Sequence, residues 1–196
     1  GFALHDTDKK TIYYYENIKG DAHALEASNI NPYLVDASDI VLQRRSLPIC
    51  NVPIMRSGNK PIDNGNYLFT PEEKSAFIEK EPSSSKWFRP WLGGEEFLNK
   101  IERWYLWLGD CPPQELQRMP EVMKRVEAVA SFRHNSVSAP TRAIADMPTR
   151  FHVECIPKDN YLALPEVSSE RRPYIPIAFL DEMVLCGNKL RIVEPA

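Results

Sequence analysis

Strand-forming residues sit at both ends of this chain, and helix-forming residues sit between them. That order is the tightest constraint on the fold, because segments far apart in sequence must meet to share a sheet. Near the start, residues 11–15 (TIYYY) are β-branched and aromatic, as strands prefer. Residues 33–35 and 40–42 are further short candidates, and Asn64-Gly65 is a turn signal ahead of the strand-like 67–69. Thr70-Pro71-Glu72-Glu73 has the form of a capping box, with proline where its missing N–H costs nothing. The helix it opens ends before Pro82. A second helix is expected over 95–108, with Phe97, Ile101, Trp104/Tyr105 and Leu108 on its apolar face and Gly109 to end it. A third is expected from Pro120 to about His134, striped by Val122, Val126 and Val129. Strand character returns at 151–156, 161–165, 175–180 and 189–193. The expected class is α+β: a mostly antiparallel sheet from N- and C-terminal strands, with a central helical segment of about three helices. This insert lies at about 70–135 in a single domain spanning 1–196.

The chain has 196 residues, 43% of them apolar and 26% charged, which suits a packed domain and not a disordered one. Seventeen prolines against eight glycines point to rigid loops. The net charge of −3 excludes a polybasic arm or an acidic tail. It does not exclude a local basic patch, and two segments are basic: 41–70 (+3) and 121–150 (+2), against −4 for 1–40. Together in space they would form a basic face; apart, they are an ordinary solvated mixture. No run approaches a membrane span, and no leader opens the chain, so no membrane partner is expected. The absent initial Met and the abrupt end suggest a piece of a longer protein. The cysteines Cys50, Cys111, Cys155 and Cys186 form no CxxC pair and read as reduced thiols of a cytoplasmic protein.

No catalytic or metal-binding residues are assigned within the chain. His5, His23, His134 and His152 are scattered, and no HExxH, GxSxG or P-loop pattern occurs. Asn31-Pro32-Tyr33 lacks one proline of the Asn-Pro-Pro-Tyr loop of DNA amino-methyltransferases, and no nucleotide-binding half precedes it. It reads as a turn entering a strand. Glu72/Glu73 and Glu95/Glu96 suit first helical turns. Trp104 and Tyr105 are assigned to the core, and Trp107, facing elsewhere, to contact with a neighbouring domain.

Four stretches carry a resemblance: 31–37 (NPYLVDA), 58–65 (GNKPIDNG), 97–112 (FLNKIERWYLWLGDCP) and 161–177 (YLALPEVSSERRPYIPI). In this order and at compatible spacing they resemble the target recognition domain of MmeI-like enzymes, single-chain restriction-modification proteins and DNA adenine methyltransferases. The resemblance spans about residues 12–194. It implies a module that reads double-stranded DNA while a separate methyltransferase domain of the same polypeptide methylates adenine. That domain, and not this chain, would use S-adenosylmethionine. The parent chain is then expected to be the site-specific methyltransferase.

The resemblance places specificity positions at Ser168, Ser169, Glu170, Arg171 and Arg172. Pro173 favours an extended Arg172, and in an extended chain residues two apart share a side. Glu170 can accept from cytosine N4, and Arg172 can donate to guanine O6 and N7, so the two can read one C·G pair in the major groove. Arg171 then faces phosphate or solvent. Ser138, in the loop after Arg133 and His134, is a further candidate for base contact by the same resemblance. Arg56 and Lys60 flank a glycine-containing loop; phosphate contact and a solvated turn are both open readings. Two other functions compete: a protein-interaction domain, and a metal-dependent nuclease with Asp63 and Glu72/Glu73 as ligands.

Overall fold

The capping box read at Thr70 is present in the computed structural model, which describes residues 9–45, 47–169 and 171–194: Thr70 Oγ1 accepts from the Glu73 N–H (3.2 Å) and Glu73 Oε2 accepts from the Thr70 N–H (2.8 Å). The chain divides into two units, Gly1–Pro48 and Ile49–Ala196.

In the first unit, β1 (Lys10–Tyr14) and β2 (His23–Ala27) form an antiparallel hairpin, registered from Lys10 opposite Ala27 to Tyr14 opposite His23. Short polar bonds order the segment that follows. Asp36 Oδ1 accepts from the Asn29 N–H and the Ser28 hydroxyl, both at 3.0 Å. Asn29 Nδ2 donates to Ala37 O (2.8 Å) and Asp39 Oδ1 (2.9 Å). Asn31 Oδ1 accepts from the N–H groups of Tyr33 (2.9 Å) and Val35 (3.3 Å), and Leu34 takes φ 60°. Asn31 therefore makes a side-chain-bonded turn, as its place in NPY suggests. No strand follows it at 33–35 or 40–42, contrary to expectation. The left-handed Leu34 breaks any extended run.

The second unit contains β3 (Met55–Ser57), β4 (Leu68–Phe69), α1 (Pro71–Lys80), β5 (Phe88–Leu92), α2 (Gly94–Asn99), β6 (Trp104–Leu106), α3 (Pro113–Leu116), α4 (Pro120–His134), α5 (Ala139–Arg142), β7 (Tyr161–Pro165), β8 (Ala178–Leu180), β9 (Leu185–Cys186) and β10 (Leu190–Val193). Two four-stranded sheets run β4-β6-β5-β9 and β3-β10-β7-β8. Every strand pair is antiparallel except β5 with β9, so the class is α+β as expected.

Each sheet faces a core. The larger joins Phe69, Tyr105 and Leu106 to Phe77 of α1, Val122, Val126 and Val129 of α4, and Phe151. The smaller joins Tyr161, Ala163, Leu190 and Ile192 to Cys155 and Cys186. Successive side chains of a strand alternate sides, so the two residues of β9 divide between the cores: Leu185 enters the first and Cys186 the second. There burial pushes the Cys186 thiol up to about 11.

The expected second helix is corrected. It ends at Asn99, because Lys100 turns left-handed (φ 56°) and the Ile101 N–H bonds back to Glu96 O at 3.1 Å, the pattern of a Schellman cap. Residues 104–106 are instead β6, the strand between β4 and β5. Spacings of three and four misled; the unbroken apolar run WYLWL carried the strand signal. Trp107 is also corrected. It is 3% exposed, stacks on Phe151 (centroids 4.6 Å apart) and donates to Asp110 Oδ2 at 2.6 Å. Its ring covers Gly109, where a Cβ would lie 2.2 Å from Trp107 Cζ2. Gly109 thus serves this packing and ends no helix. Of the expected 151–156 strand, only an isolated bridge between Val153 and Lys60 is present.

Candidate functional site

The loop singled out at 168–172 leaves β7 and returns at β8. Its base is fixed. The Glu166 N–H donates to Lys189 O (2.9 Å), and the Glu166 carboxylate pairs with Arg191 Nη2 (2.8 Å) and Lys189 Nζ (3.5 Å) next to β10. Sequence reading missed this brace, which joins residues 23 and 25 positions apart. Beyond it, Val167, Ser168, Ser169 and Arg171 are exposed, and Arg172 is half-buried. Ser169 organises the tip: its Oγ accepts from the Arg171 N–H (3.2 Å) and its carbonyl from the Arg172 N–H (3.0 Å).

Glu170 lies outside the described residues. The bond from Arg172 back to Ser169 is of the i,i+3 kind that closes a turn. The expectation that Glu170 and Arg172 share a side assumed an extended chain, which this turn-type bond does not supply. Their pairing rests on the family resemblance.

Ser138 is exposed at the N-terminal cap of α5, where its hydroxyl makes no capping bond. Its carbonyl accepts from the Arg142 N–H at 3.0 Å. Arg56, opposite Ile192 in the β3–β10 register, has Nη1 3.5 Å from Glu194 Oε2. The Lys60 side chain is exposed, while its backbone bonds Val153 and His152.

The loop around Gly58 has a structural task. A Cβ at Gly58 would lie 2.4 Å from Gly187 O, so the close approach that glycine permits is to protein backbone. Beside it, fully buried Asn59 donates from Nδ2 to Cys155 O (3.1 Å) and Cys186 O (3.0 Å) and accepts from the Cys155 N–H (2.7 Å). One amide ties three segments.

The basic segment 121–150 also turns inward. Arg133 is 1% exposed, and its guanidinium donates five hydrogen bonds to carbonyls: Nε to Ile62, Nη1 to Ile144 and Met147, Nη2 to Pro61 and Arg150, at 2.8–3.2 Å. Burial lowers its pKa from the ordinary arginine value. Spacing could have found it, because Val122, Val126, Val129 and Arg133 continue one helical stripe. The other lysine and arginines of this segment have partners too: Lys124 on Glu121, Arg125 on Asn66 O, Arg142 on Ser136 O and Arg150 on Glu154.

Two carboxylates of the nuclease alternative, Asp63 and Glu73, are engaged elsewhere. Asp63 accepts from Gly65 N (3.1 Å), Tyr67 N (3.2 Å) and Tyr105 Oη (2.9 Å), and Glu73 closes its capping box. Burial, and then the Asp63 charge, push the Tyr105 phenol well above its usual range. Among the described residues, no three His, Cys, Asp or Glu side chains gather as metal ligands.

The loop after β7 thus carries exposed serines and an exposed arginine beyond a base braced at Glu166. Residues 36–196 match the family described as MmeI, target recognition domain, and the chain belongs to that family. It is similar to the Type IIL restriction-modification enzyme MmeI in a structure solved in complex with DNA, at 47% identity and TM-score 0.92 over 98% of this chain and 26% of that one. It is 31% identical over 196 residues to DNA methyltransferase A of Bacillus subtilis (strain 168), covering all of this chain and 22% of that protein. The chain thus spans about a quarter of the length of these relatives. No helix among the described residues is long and apolar enough to cross a membrane.

Proposed function

We propose that this chain reads the sequence of double-stranded DNA for an adenine-specific DNA methyltransferase of the restriction-modification kind, acting in the cytoplasm. S-adenosylmethionine and the reacting groups belong to the methyltransferase domain of the same polypeptide. The observation that carries this reading is the likeness, over 98% of the chain and at TM-score 0.92, to an enzyme solved on DNA.

Within this reading the 166–177 loop meets the major groove. Glu170 accepts from cytosine N4 while Arg172 gives guanine O6 and N7 a two-pronged donor, so one C·G pair satisfies both. Ser168, Ser169 and Arg171 support the tip or touch sugar and phosphate. Ser138 offers an uncommitted hydroxyl to a base edge. Lys60 is free to meet a phosphate, whereas Arg56 must first leave Glu194. The Glu166 pair with Arg191 supports this reading by anchoring the start of the loop.

The test is to map methylated adenines at single-base resolution in DNA modified by the full-length polypeptide. We expect one asymmetric motif with a fixed C·G pair, and the double substitution Glu170→Lys with Arg172→Asp should invert that pair or abolish recognition. A motif unchanged by the double substitution overturns the pairing.

A further inference from the structure

We infer that β1, β2 and the loop 28–42 form a docking face for the methyltransferase domain of the same polypeptide. This rests on the reading that the chain belongs to such an enzyme. The first observation is exposure. Tyr13 and Tyr14, on opposite faces of β1, are 62% and 55% exposed, and Leu25 of β2 is 55% exposed. Leu34, Val35 and Val41 of the loop are 73%, 50% and 64% exposed. A two-stranded hairpin open on both faces is marginal alone, and so many exposed apolar side chains in one short unit point to a contact surface.

The second observation is order. The bonds that Asp36, Asn29 and Asn31 make hold the loop in one shape, down to a left-handed Leu34, with its apolar side chains outward. Such a surface is organised before its partner arrives, which lowers the cost of binding.

The third observation bears on the occupant. The recognition-domain family begins at residue 36, yet the matches to the two larger enzymes take in 98% and 100% of the chain. The hairpin is therefore shared with these enzymes but precedes the stretch that the recognition-domain family matches. About three quarters of each enzyme lies outside the match. Residues 1–40 carry three basic and seven acidic groups, so the complementary face is apolar with a basic rim.

Hydrogen exchange, compared between this 196-residue chain and the full-length polypeptide, tests the inference. The amides of β1 and β2 should exchange about 100-fold more slowly in the full-length polypeptide, since a tethered partner docks at high effective concentration. Those of β7 and β10 should match in the two samples. Equal exchange of β1 and β2 in both overturns the inference. In the full-length polypeptide, Tyr14→Ser with Leu25→Ser should remove the extra protection and slow methylation while leaving the methylated motif unchanged. A changed motif would assign the hairpin to DNA reading and overturn docking. The exchange comparison needs no DNA, so a failure to find any motif would strike the DNA-reading proposal separately.

Discussion

In the second unit, Leu106, Leu108, Met119, Val122 and Val129 lose nearly all contact with water; in the first, Ala27 is the one apolar residue below a tenth exposed among those described. The second unit is ordered by burial, which is non-directional and scales with the area removed from water. The first is ordered by directed bonds between neighbours in sequence, such as Asp36 to Asn29 and Asn31 to Val35. Such bonds contribute little net stability in water, because water offers the same groups equal partners. The two units should therefore answer perturbation differently.

The largest expected effect comes from Arg133→Met. It leaves five carbonyls without their guanidinium inside the second unit, and urea unfolding should show a loss of about 3–5 kcal/mol. A loss below about 1 kcal/mol would mean that water replaces the arginine, and the contrast between the units would weaken. Val41→Ser, in the first unit, should change the stability of this chain by less than about 0.5 kcal/mol in the same measurement, as exposed sites do. A larger loss would show that the first unit owes its order to apolar contact after all.

The smallest effect is confined to acid. The Asn29 N–H, and then the Ser28 hydroxyl, hold the Asp36 carboxyl below its ordinary value. A lowered folded pKa gives stabilisation that is complete above the unfolded value and lost as pH falls through the folded one. Protection of the Asn29 amide, taken as its exchange relative to the intrinsic rate at the same pH, should therefore fall on acidification through that range, while protection at Leu106 shows no such step. Equal sensitivity at both sites would deny that the loop is held by this carboxylate.

How far the sequence speaks follows the same division. Thr70 with Glu73, the stripe from Val122 to Val129 and the alternation at Tyr161–Pro165 are local patterns, and each marks its element closely. Trp104 and Tyr105 fit helical and strand spacing alike; only the neighbours supplied by β4 and β5 decide between them. Arg133 looks like a solvated helix end until its place on the valine stripe is counted. Asn59 and Glu166 carry no local mark, because their partners lie 127 and 25 residues away respectively. At the candidate site the serines and arginines of the loop are legible, but its turn is set by Ser169 accepting two bonds, and residue type alone does not announce that.

The braced loop has a consequence for how such chains change over time. No described side chain from Val167 to Ile177 enters either core, and both ends of the segment are anchored outside it. Its letters can be rewritten without the rest of the molecule losing its shape. Under the proposed function, substitutions in this loop alter what is read without removing a side chain from either core.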